Sequence, residues 1–233
     1  MGLPKIDKPV FELVLPSTGK KIKYTPFTVK EEKILLIAQE SKDVEQSILS
    51  MKQIVNNCLV DIKVEDLSMF DMEYVLLLLR SKSVDNTVAF TIKDPDTEER
   101  VELTFDLDEV EVSVDERHTK EIRLDDTYVL YMRYPTIDEF LMMIKGGVND
   151  SDTSFDIMIS CMDKLVSEEE VFKFSDFTSE EIEAFMDSLE ADVIKKMKFF
   201  FDSMPKMRHT IKYNDKTGKE KTFVVEGTET FFI

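Results

Sequence analysis

Histidine and cysteine often carry nucleophilic or metal chemistry, and this chain of 233 residues has 2 of each. His118 and His209 stand among charged residues and neither has a cysteine nearby, so the ligand spacing of a zinc site is missing. Cys58 and Cys161 are far apart, and each lies in an apolar helical pattern typical of a buried thiol. A nucleophilic serine or cysteine also needs a base and an orienting group, which the sequence does not place beside it. We therefore expect a protein that is not an enzyme and that needs no cofactor and no metal.

The sequence also lacks the motifs of a phosphate-binding or a calcium-binding site. Glycine is scarce, at 6 residues, and neither a P-loop nor a dinucleotide fingerprint is present. Asp150, Asp152 and Asp156 resemble part of a calcium loop, but the required glycine and the closing glutamate are not at their positions. The sequence predicts a solvated polar loop over residues 148–154 instead.

Charge is the most informative property of the composition. The formal net charge is -18, and 33% of the residues are charged. This balance disfavours binding to anionic membranes and to nucleic acid, whereas it suits a partner with a basic surface. Residues 106–126 are rich in Asp and Glu, and residues 195–221 are rich in Lys and Arg. Such segments can drive self-association or docking into a charged assembly, and they are equally typical of ordinary solvated faces.

The elements that would position these residues begin with a hairpin and three helices. Residues 10–15 and 20–24 are strand-like and flank a turn that ends in Gly19. Thr28 and Glu31 have the spacing of a capping box. The apolar pattern predicts helices over three ranges: 29–39, 44–60 and 68–81. The third helix is apolar nearly all round, so we expect it at the centre of the core.

Residues 88–134 change from a helical to an alternating period. Val101, Leu103 and Phe105 alternate with polar residues, which indicates a sheet with one solvated face. Residues 94–96 provide a turn between two of the strands. We expect one antiparallel sheet in this region, without a predicted strand order.

The following segment returns to a helical period. Thr136 and Glu139 form a second capping-box spacing before a helix that stops at Gly146. We expect further helices over residues 155–165 and from about residue 168, with an aromatic cluster near Phe172. A third capping-box spacing, at residues 178–181, begins a predicted long helix that ends at Pro205.

The C-terminal residues carry the candidate partner-binding site. Residues 207–213 and 221–226 flank a turn at 214–218 and predict a basic hairpin. Beyond it the apolar chain end either packs into the protein's own core or anchors in a partner's pocket. The candidate contact residues are Lys212, Lys216, Lys219, Lys221, Phe231 and Phe232.

These elements predict an α+β fold. We expect a helix-rich domain with a central antiparallel β region and with β-hairpins near both termini. Because no repeat or low-complexity linker interrupts the chain, we expect a single composite domain. Its parts are a hairpin with helices (1–87), the β region (88–134), a helical part (135–205) and the basic C-terminal hairpin (206–233).

Several stretches together resemble a known family. They lie at residues 15–22, 24–33, 70–84 and 226–232. The chain resembles the baseplate hub and hub-assembly proteins of T4-like contractile-tailed bacteriophages. The resemblance implies a non-enzymatic late viral protein, made in the host bacterial cytoplasm, that acts in building the baseplate hub as a subunit or as an assembly factor. Other phage baseplate and hub proteins would be its partners. A hub subunit would end in the virion tail baseplate, whereas an assembly factor would leave before the virion is complete.

The resemblance also bears on metal binding. Members of this family can carry cysteine pairs in β-hairpins, which suggests a zinc ribbon. Here residues 94–99 and 214–218 occupy those turns without cysteine, so the resemblance implies no metal. The alternative function is an acidic adaptor that binds a basic host or phage protein through the acidic β region.

Overall fold

The computed structural model describes residues 7–41, 43–83, 86–146, 151–215 and 218–226. The chain divides into two compact units. Unit 1 contains the described residues of 1–113 and 206–233, and unit 2 contains those of 114–205. Unit 2 is therefore inserted between two segments of unit 1. The single composite domain expected from the sequence stays a prediction, because compactness alone does not show whether two units fold separately.

Helices and strands alternate in groups along the described residues. The strands are β1 (Phe11–Val14), β2 (Lys21–Tyr24), β3 (Thr87–Lys93), β4 (Arg100–Asp106), β5 (Glu111–Ser113), β6 (Glu121–Arg123), β7 (Val129–Met132), β8 (Met162–Val166), β9 (Val171–Lys173), β10 (Lys206–Asn214) and β11 (Glu220–Glu226). The helices are α1 (Val29–Ser41), α2 (Val44–Cys58), α3 (Met69–Ser83), α4 (Ile137–Gly146), α5 (Ser151–Ser160), α6 (Ser179–Asp187) and α7 (Ala191–Asp202). The predicted α+β class, with hairpins near both termini, is confirmed.

The first hairpin of unit 1 follows its sequence pattern. In β1 and β2, Leu13 lies opposite Ile22, and both are buried. Gly19 in the turn has a φ of +70°, a left-handed conformation that strains other residues. Alternation along the two strands places their apolar side chains on one face. The predicted hairpin is confirmed by its pairing.

The predicted helices α1 to α3 are also present in unit 1. The glutamate half of the predicted capping box is present, because Glu31 accepts hydrogen bonds from the backbone N–H and the hydroxyl of Thr28. In α3, Met72, Val75 and Leu79 are fully buried, which confirms its expected place in the core. Its carboxylate Asp71 accepts a hydrogen bond from a backbone N–H of the β1–β2 turn, so helix and hairpin are tied together.

Two further sheets complete unit 1. Strands β3 and β4 form an antiparallel pair, and a three-stranded sheet has the order β11-β10-β5. In that sheet Lys206 of β10 lies opposite Ser113 of β5. The chain therefore leaves unit 1 and returns to it on neighbouring strands, which allows a whole unit to be inserted without breaking the sheet.

Unit 2 is built on a four-stranded antiparallel sheet with the order β6-β7-β8-β9. Side chains from this sheet and from α5, α6 and α7 form its hydrophobic core. The most deeply buried members are Leu130, Cys161, Met197 and Phe200. Large flexible methionine side chains fill much of this core, as is common where shapes are irregular.

The expected single sheet over residues 88–134 is wrong. Its strands belong to three sheets: β3 pairs with β4, β5 with β10, and β6 and β7 with β8 and β9. Alternation reports which residues face inward, but it carries no information about the partner strand. Here the decisive partners, β8 and β10, lie far along the chain.

The expected helix over residues 155–165 is wrong in its second half. Helix α5 starts at Ser151, so residues 151–154 are helical and not part of a polar loop, and residues 147–150 lie outside the described residues. The helix ends before β8, in which Leu165 pairs with Leu130 of β7. A short apolar run is compatible with both the helical and the alternating period. Residues 162–166 form a strand because they pair with the edge of β7. The helix expected from about residue 168 is a loop between β8 and β9.

The expected long helix over residues 178–205 is divided into α6 and α7. The predicted capping box at Thr178 and Glu181 is present. At the break, the hydroxyl of Ser188 donates to the carbonyl of Phe185, and Glu190 has an extended backbone. A serine hydroxyl that competes for a helix carbonyl favours termination. Both helices still bury apolar residues in the same core, so the helical period continues across the break.

Candidate partner-binding surface

The hairpin of β10 and β11 has an inward and an exposed face. Met207 and Ile211 of β10 are buried, whereas Lys212 is exposed. Ile211 lies opposite Phe223 of β11, and the ring of Phe223 lies 5.7 Å from that of Phe90 in β3. Successive side chains of a strand point to opposite faces, so the predicted hairpin is confirmed and its solvent-facing positions are defined.

The exposed face carries both signs of charge. Lys212 and Lys219 are exposed, as the candidate site requires. The Lys212 ammonium lies 4.0 Å from a carboxylate oxygen of Glu220, and that of Lys206 lies 3.0 Å from Glu226. Ion pairs that are open to solvent are weak and leave the lysines available to another carboxylate. The hairpin therefore presents a mixed surface, less basic than its lysine content suggests.

Lys221 is placed differently from the other candidate lysines. Its ammonium lies 2.7 Å from Asp94 Oδ1, 3.0 Å from Asp96 Oδ2 and 3.2 Å from Asp215 Oδ2. The side chain of Lys221 is only 10% exposed, and that of Asp94 is fully buried. The hydroxyl of Tyr213 donates a hydrogen bond of 2.8 Å to Asp94 Oδ2. We call this group the Lys221 cluster.

The Lys221 cluster joins two turns of unit 1. Asp94 Oδ1 accepts the backbone N–H of Thr97 in the β3–β4 turn, and Asp215 Oδ1 accepts that of Lys219 in the β10–β11 turn. Each carboxylate thus holds its own turn in place. Because Lys221 binds both carboxylates, it connects two hairpins that are far apart in sequence.

Asp94 and Lys221 form a charged pair at neutral pH, because each stabilises the ionised form of the other. The hydrogen bond from Lys221 holds the pKa of Asp94 well below its usual value, and the N–H of Thr97 adds to the effect. In return, the hydrogen bond to Asp94 raises the pKa of Lys221. The ammonium is thus neutralised inside unit 1. Lys212 and Lys219 are the described members of the candidate set that present their charge to solvent.

A sequence signal for the buried lysine was available. Lys221 stands two and four residues before Phe223 and Val225, which lie on the inward face of β11. Strand alternation places all three on the same face. The basic neighbours of Lys221 obscure this signal in the sequence, and its carboxylate partners come from turns that no local pattern connects.

The other candidate residues are not described. Lys216, Phe231 and Phe232 lie outside the described residues, so their part in partner binding stays a prediction. The two charged segments are each divided between the units, the acidic one after residue 113 and the basic one after residue 205. Neither charge run therefore lies within a single unit.

His118 takes part in an aromatic stack in unit 2. Its ring lies 5.3 Å from that of Phe200 and 5.7 Å from that of Tyr134. Nδ1 is 2.9 Å from Ser203 Oγ, and Nε2 is 2.9 Å from the Tyr134 hydroxyl. Since the Ser203 hydroxyl donates to the carbonyl of Phe199, Nδ1 is assigned as the protonated nitrogen. Burial, and then the charge of nearby Lys120, lower the pKa of His118, so the ring is neutral at pH 7.

His209 is also held by structural contacts. Its ring stacks on Phe105 at 5.3 Å, and Nδ1 lies 3.1 Å from the backbone carbonyl of Glu109. Both histidines therefore pack against aromatic rings. Each also has the charged neighbours that the sequence predicts, because Nε2 of His209 lies 3.5 Å from a carboxylate oxygen of Glu109 and Lys120 lies near His118.

The two cysteines are buried thiols, as predicted. Burial, reinforced by Glu31, raises the pKa of Cys58 to about 11. Burial, reinforced by Glu139, raises the pKa of Cys161 to about 12. A nucleophilic or metal-binding cysteine must form the thiolate, which these environments oppose.

Across the part of the chain that is described, no cluster of three or more His, Cys, Asp or Glu side chains is arranged to hold a metal ion. None of the described helices has both the length and the apolar character that crossing a membrane requires.

Comparison with known families identifies the chain. The model of the T4 bacteriophage base plate protein family matches residues 8–233. The chain belongs to this family. No curated protein and no solved structure matches it significantly. The matched range of the base plate family runs through both units and includes the C-terminal hairpin. Membership indicates a component of the phage tail baseplate that contacts other baseplate proteins.

Proposed function

We propose that this protein acts in assembly of the baseplate hub, as a hub subunit or as an assembly factor, and that it has no enzymatic activity. The family match over residues 8–233 carries the proposal, because it covers the hairpin and both units. Baseplates are built by specific contacts between proteins, so a member needs shaped and charged surfaces and does not need an active site.

The chemistry of the reactive side chains supports a non-enzymatic role. Both ring nitrogens of His118 are engaged by Ser203 and Tyr134, and its neutral form is favoured. The raised pKa values of Cys58 and Cys161 keep both as thiols. Each group contributes to packing, and none meets the requirements of an activated nucleophile.

The exposed face of the C-terminal hairpin is the proposed contact with a baseplate partner. Lys212 and Lys219 lie on it, and β11 is at the edge of its sheet in the described residues. An edge strand offers backbone N–H and C=O groups to another chain. Phe231 and Phe232 belong to the proposal as apolar anchors beyond this strand.

Quantitative mass spectrometry of purified virions and infected-cell lysates tests the role. A hub subunit is expected in virions at a few copies, whereas an assembly factor is expected in lysates and not in virions. A phage that lacks the gene should fail to complete hubs in either case. Normal hubs in that phage would contradict the proposal. A co-purifying host protein, in place of baseplate proteins, would favour the acidic adaptor.

Charge reversal tests the hairpin surface. The double variant Lys212→Glu, Lys219→Glu should reduce co-sedimentation with hub intermediates. The matched control is Lys30→Glu, Lys33→Glu on α1, because these lysines are also exposed and the change in net charge is the same. Equal co-sedimentation of both variants with the hub would exclude the hairpin as the contact.

A further inference from the structure

Unit 2 contains an open groove with an apolar lining. It has a volume of about 670 Å³. Its lining residues come from the turn after β6, from β8 and β9 with the segment that follows β9, and from α6 with the start of α7. We call it the aromatic groove. Its volume is in the range of specific binding sites in proteins.

Aromatic rings form a large part of this lining. Phe174 and Phe185 are in contact, with 5.6 Å between their ring centres, and Phe172 lies 6.5 Å from Phe177. Phe177 is 41% exposed and Tyr128 is 36% exposed. Apolar rings of this size are usually buried, because each contributes a large area to the hydrophobic effect. Several partly exposed rings around one groove therefore indicate a surface that gains from being covered.

The rim of the aromatic groove is acidic. Its charged side chains among the described residues are Asp125, Glu181 and Glu190, all of which are exposed. Asp125 uses Oδ1 to hold its own turn, and Glu181 uses one oxygen to cap α6. Glu190 precedes α7 and makes no capping hydrogen bond with its side chain. Each carboxylate therefore retains an oxygen that can accept a bond from a ligand.

We propose that the aromatic groove binds a short apolar segment of another protein whose anchor side chains are flanked by lysine or arginine. The rings would cover the anchors, and the rim carboxylates would pair with the flanking cations. Aromatic pockets that accept a few apolar anchors provide most of the affinity at protein interfaces, while complementary charge selects the partner and speeds association.

Charge also argues against other occupants. Phosphate groups and fatty-acid carboxylates would be repelled by the acidic rim. The apolar pair Phe231 and Phe232 is preceded by Glu226 and Glu229, so this segment is poorly matched to the rim in the same chain or in a second copy. The inference goes beyond the proposed function, since it holds for a hub subunit and for an assembly factor.

Fluorescence anisotropy with the full-length protein tests the inference. The probe is a short fluorescein-labelled peptide of leucines flanked by lysines, and the matched probe has glutamates in place of the lysines. We expect the lysine peptide to bind at least about tenfold more tightly, a difference of about 1.4 kcal/mol. Equal binding of the two peptides, or no binding of the lysine peptide, would overturn the proposal.

Two variants locate the binding site. Phe177→Ser removes an exposed ring from the groove, and Glu190→Lys reverses one rim charge. Both variants should bind the lysine peptide at least about tenfold more weakly, which is the order expected for loss of a central anchor or charge pair. Glu190→Lys should also improve binding of the glutamate peptide. Because Phe177 is exposed and Glu190 makes no cap, both variants should keep the fold.

Matched controls separate the groove from general attraction to an acidic protein. Val171→Ser changes a side chain that is 58% exposed and lies outside the groove, and Glu169→Lys changes net charge by the same amount as Glu190→Lys. Neither should alter binding. If Glu169→Lys lowers the affinity for the lysine peptide as much as Glu190→Lys does, the proposal fails. If sedimentation shows a dimer that Phe177→Ser abolishes, the occupant is a second copy and the proposal fails as well. These outcomes do not depend on virion composition, so failure here is distinguishable from failure of the proposed function.

Discussion

The Lys221 cluster of unit 1 and the aromatic groove of unit 2 place side chains against their usual preference. In unit 1 a lysine that is 10% exposed lies among carboxylates, one of them fully buried. In unit 2 a phenylalanine that is 41% exposed lies at the edge of a groove with an acidic rim. Lysine is rarely buried without a partner, and large rings are rarely left in water without one.

The two regions differ in where the partner is found. Lys221 has its carboxylate partners within unit 1, on turns that Asp94 and Asp215 organise. The rings of the groove are only partly covered by their own unit, and we infer that their partner is another protein. Residue type alone therefore does not distinguish structural side chains from binding side chains. What separates them is whether the surrounding unit satisfies the side chain.

The largest effect should come from a buried ring of unit 2. Phe200 is 1% exposed and packs against His118 and Phe201. Phe200→Ala should lower the free energy of unfolding by about 3–5 kcal/mol, the usual cost of removing a buried phenylalanine. Phe177→Ala is the matched control from the groove and should cost about 1 kcal/mol or less. Urea unfolding followed by circular dichroism measures both. Equal losses would mean that Phe177 is a structural residue like Phe200 and not part of a binding surface.

A smaller effect is expected from the buried cation. Lys221→Met leaves Asp94 and Asp215 without their shared counter-ion, so the stability of unit 1 should fall. We expect less than for Phe200→Ala, because the exposed side of Asp96 admits water to the cluster. Lys212→Met, on the exposed face of the same hairpin, should stay within about 0.5 kcal/mol of the parent.

Hydrogen exchange measured by mass spectrometry resolves this change, since the chain has no tryptophan to report on one unit. Amides of β3, β4, β10 and β11 should lose protection in Lys221→Met and keep it in Lys212→Met. If both variants lose protection equally, the cluster has no special role.

The smallest effect should appear on acidification, and it should differ between the two units. The pKa of His118 lies below the usual 6.5 of histidine, so its contribution to stability is complete above pH 6.5 and declines as the pH falls below that value. The pKa of Asp94 is also lowered, so its contribution is complete above the usual 3.8 of aspartate and declines only below it.

As the pH falls, the amides of unit 2 should therefore begin to lose protection from hydrogen exchange at a higher pH than the amides around the Lys221 cluster. Hydrogen exchange at several pH values, corrected for intrinsic rates, measures this order. His118→Gln should remove the part of the dependence that begins near pH 6.5. If the amides around the Lys221 cluster lose protection from exchange first, that order would contradict the lowered pKa of His118 or that of Asp94.

Local signals determined much of the fold. The turn glycines Gly19 and Gly218 both have positive φ, and each hairpin forms where its turn predicts. The capping boxes at Thr136 and Thr178 form in full, and the glutamate half of the box forms at Thr28, because these pairs join residues only three apart. Helix α3 is buried as its apolar surface requires. These features depend on neighbours in sequence, so the amino acids alone specify them.

Tertiary structure decided the remainder. The pairing of β7 with β8 turned a predicted helix into a strand, and β5 found its partner in β10. The same long-range contacts buried Lys221 beside Asp94, a residue 127 positions away, and assembled the aromatic groove from separate strands and helices of unit 2. Periodicity states which face of an element is apolar but leaves its partner unspecified. Both the cluster and the groove depend on that partner, because a charge or a ring is satisfied only by groups that folding brings to it.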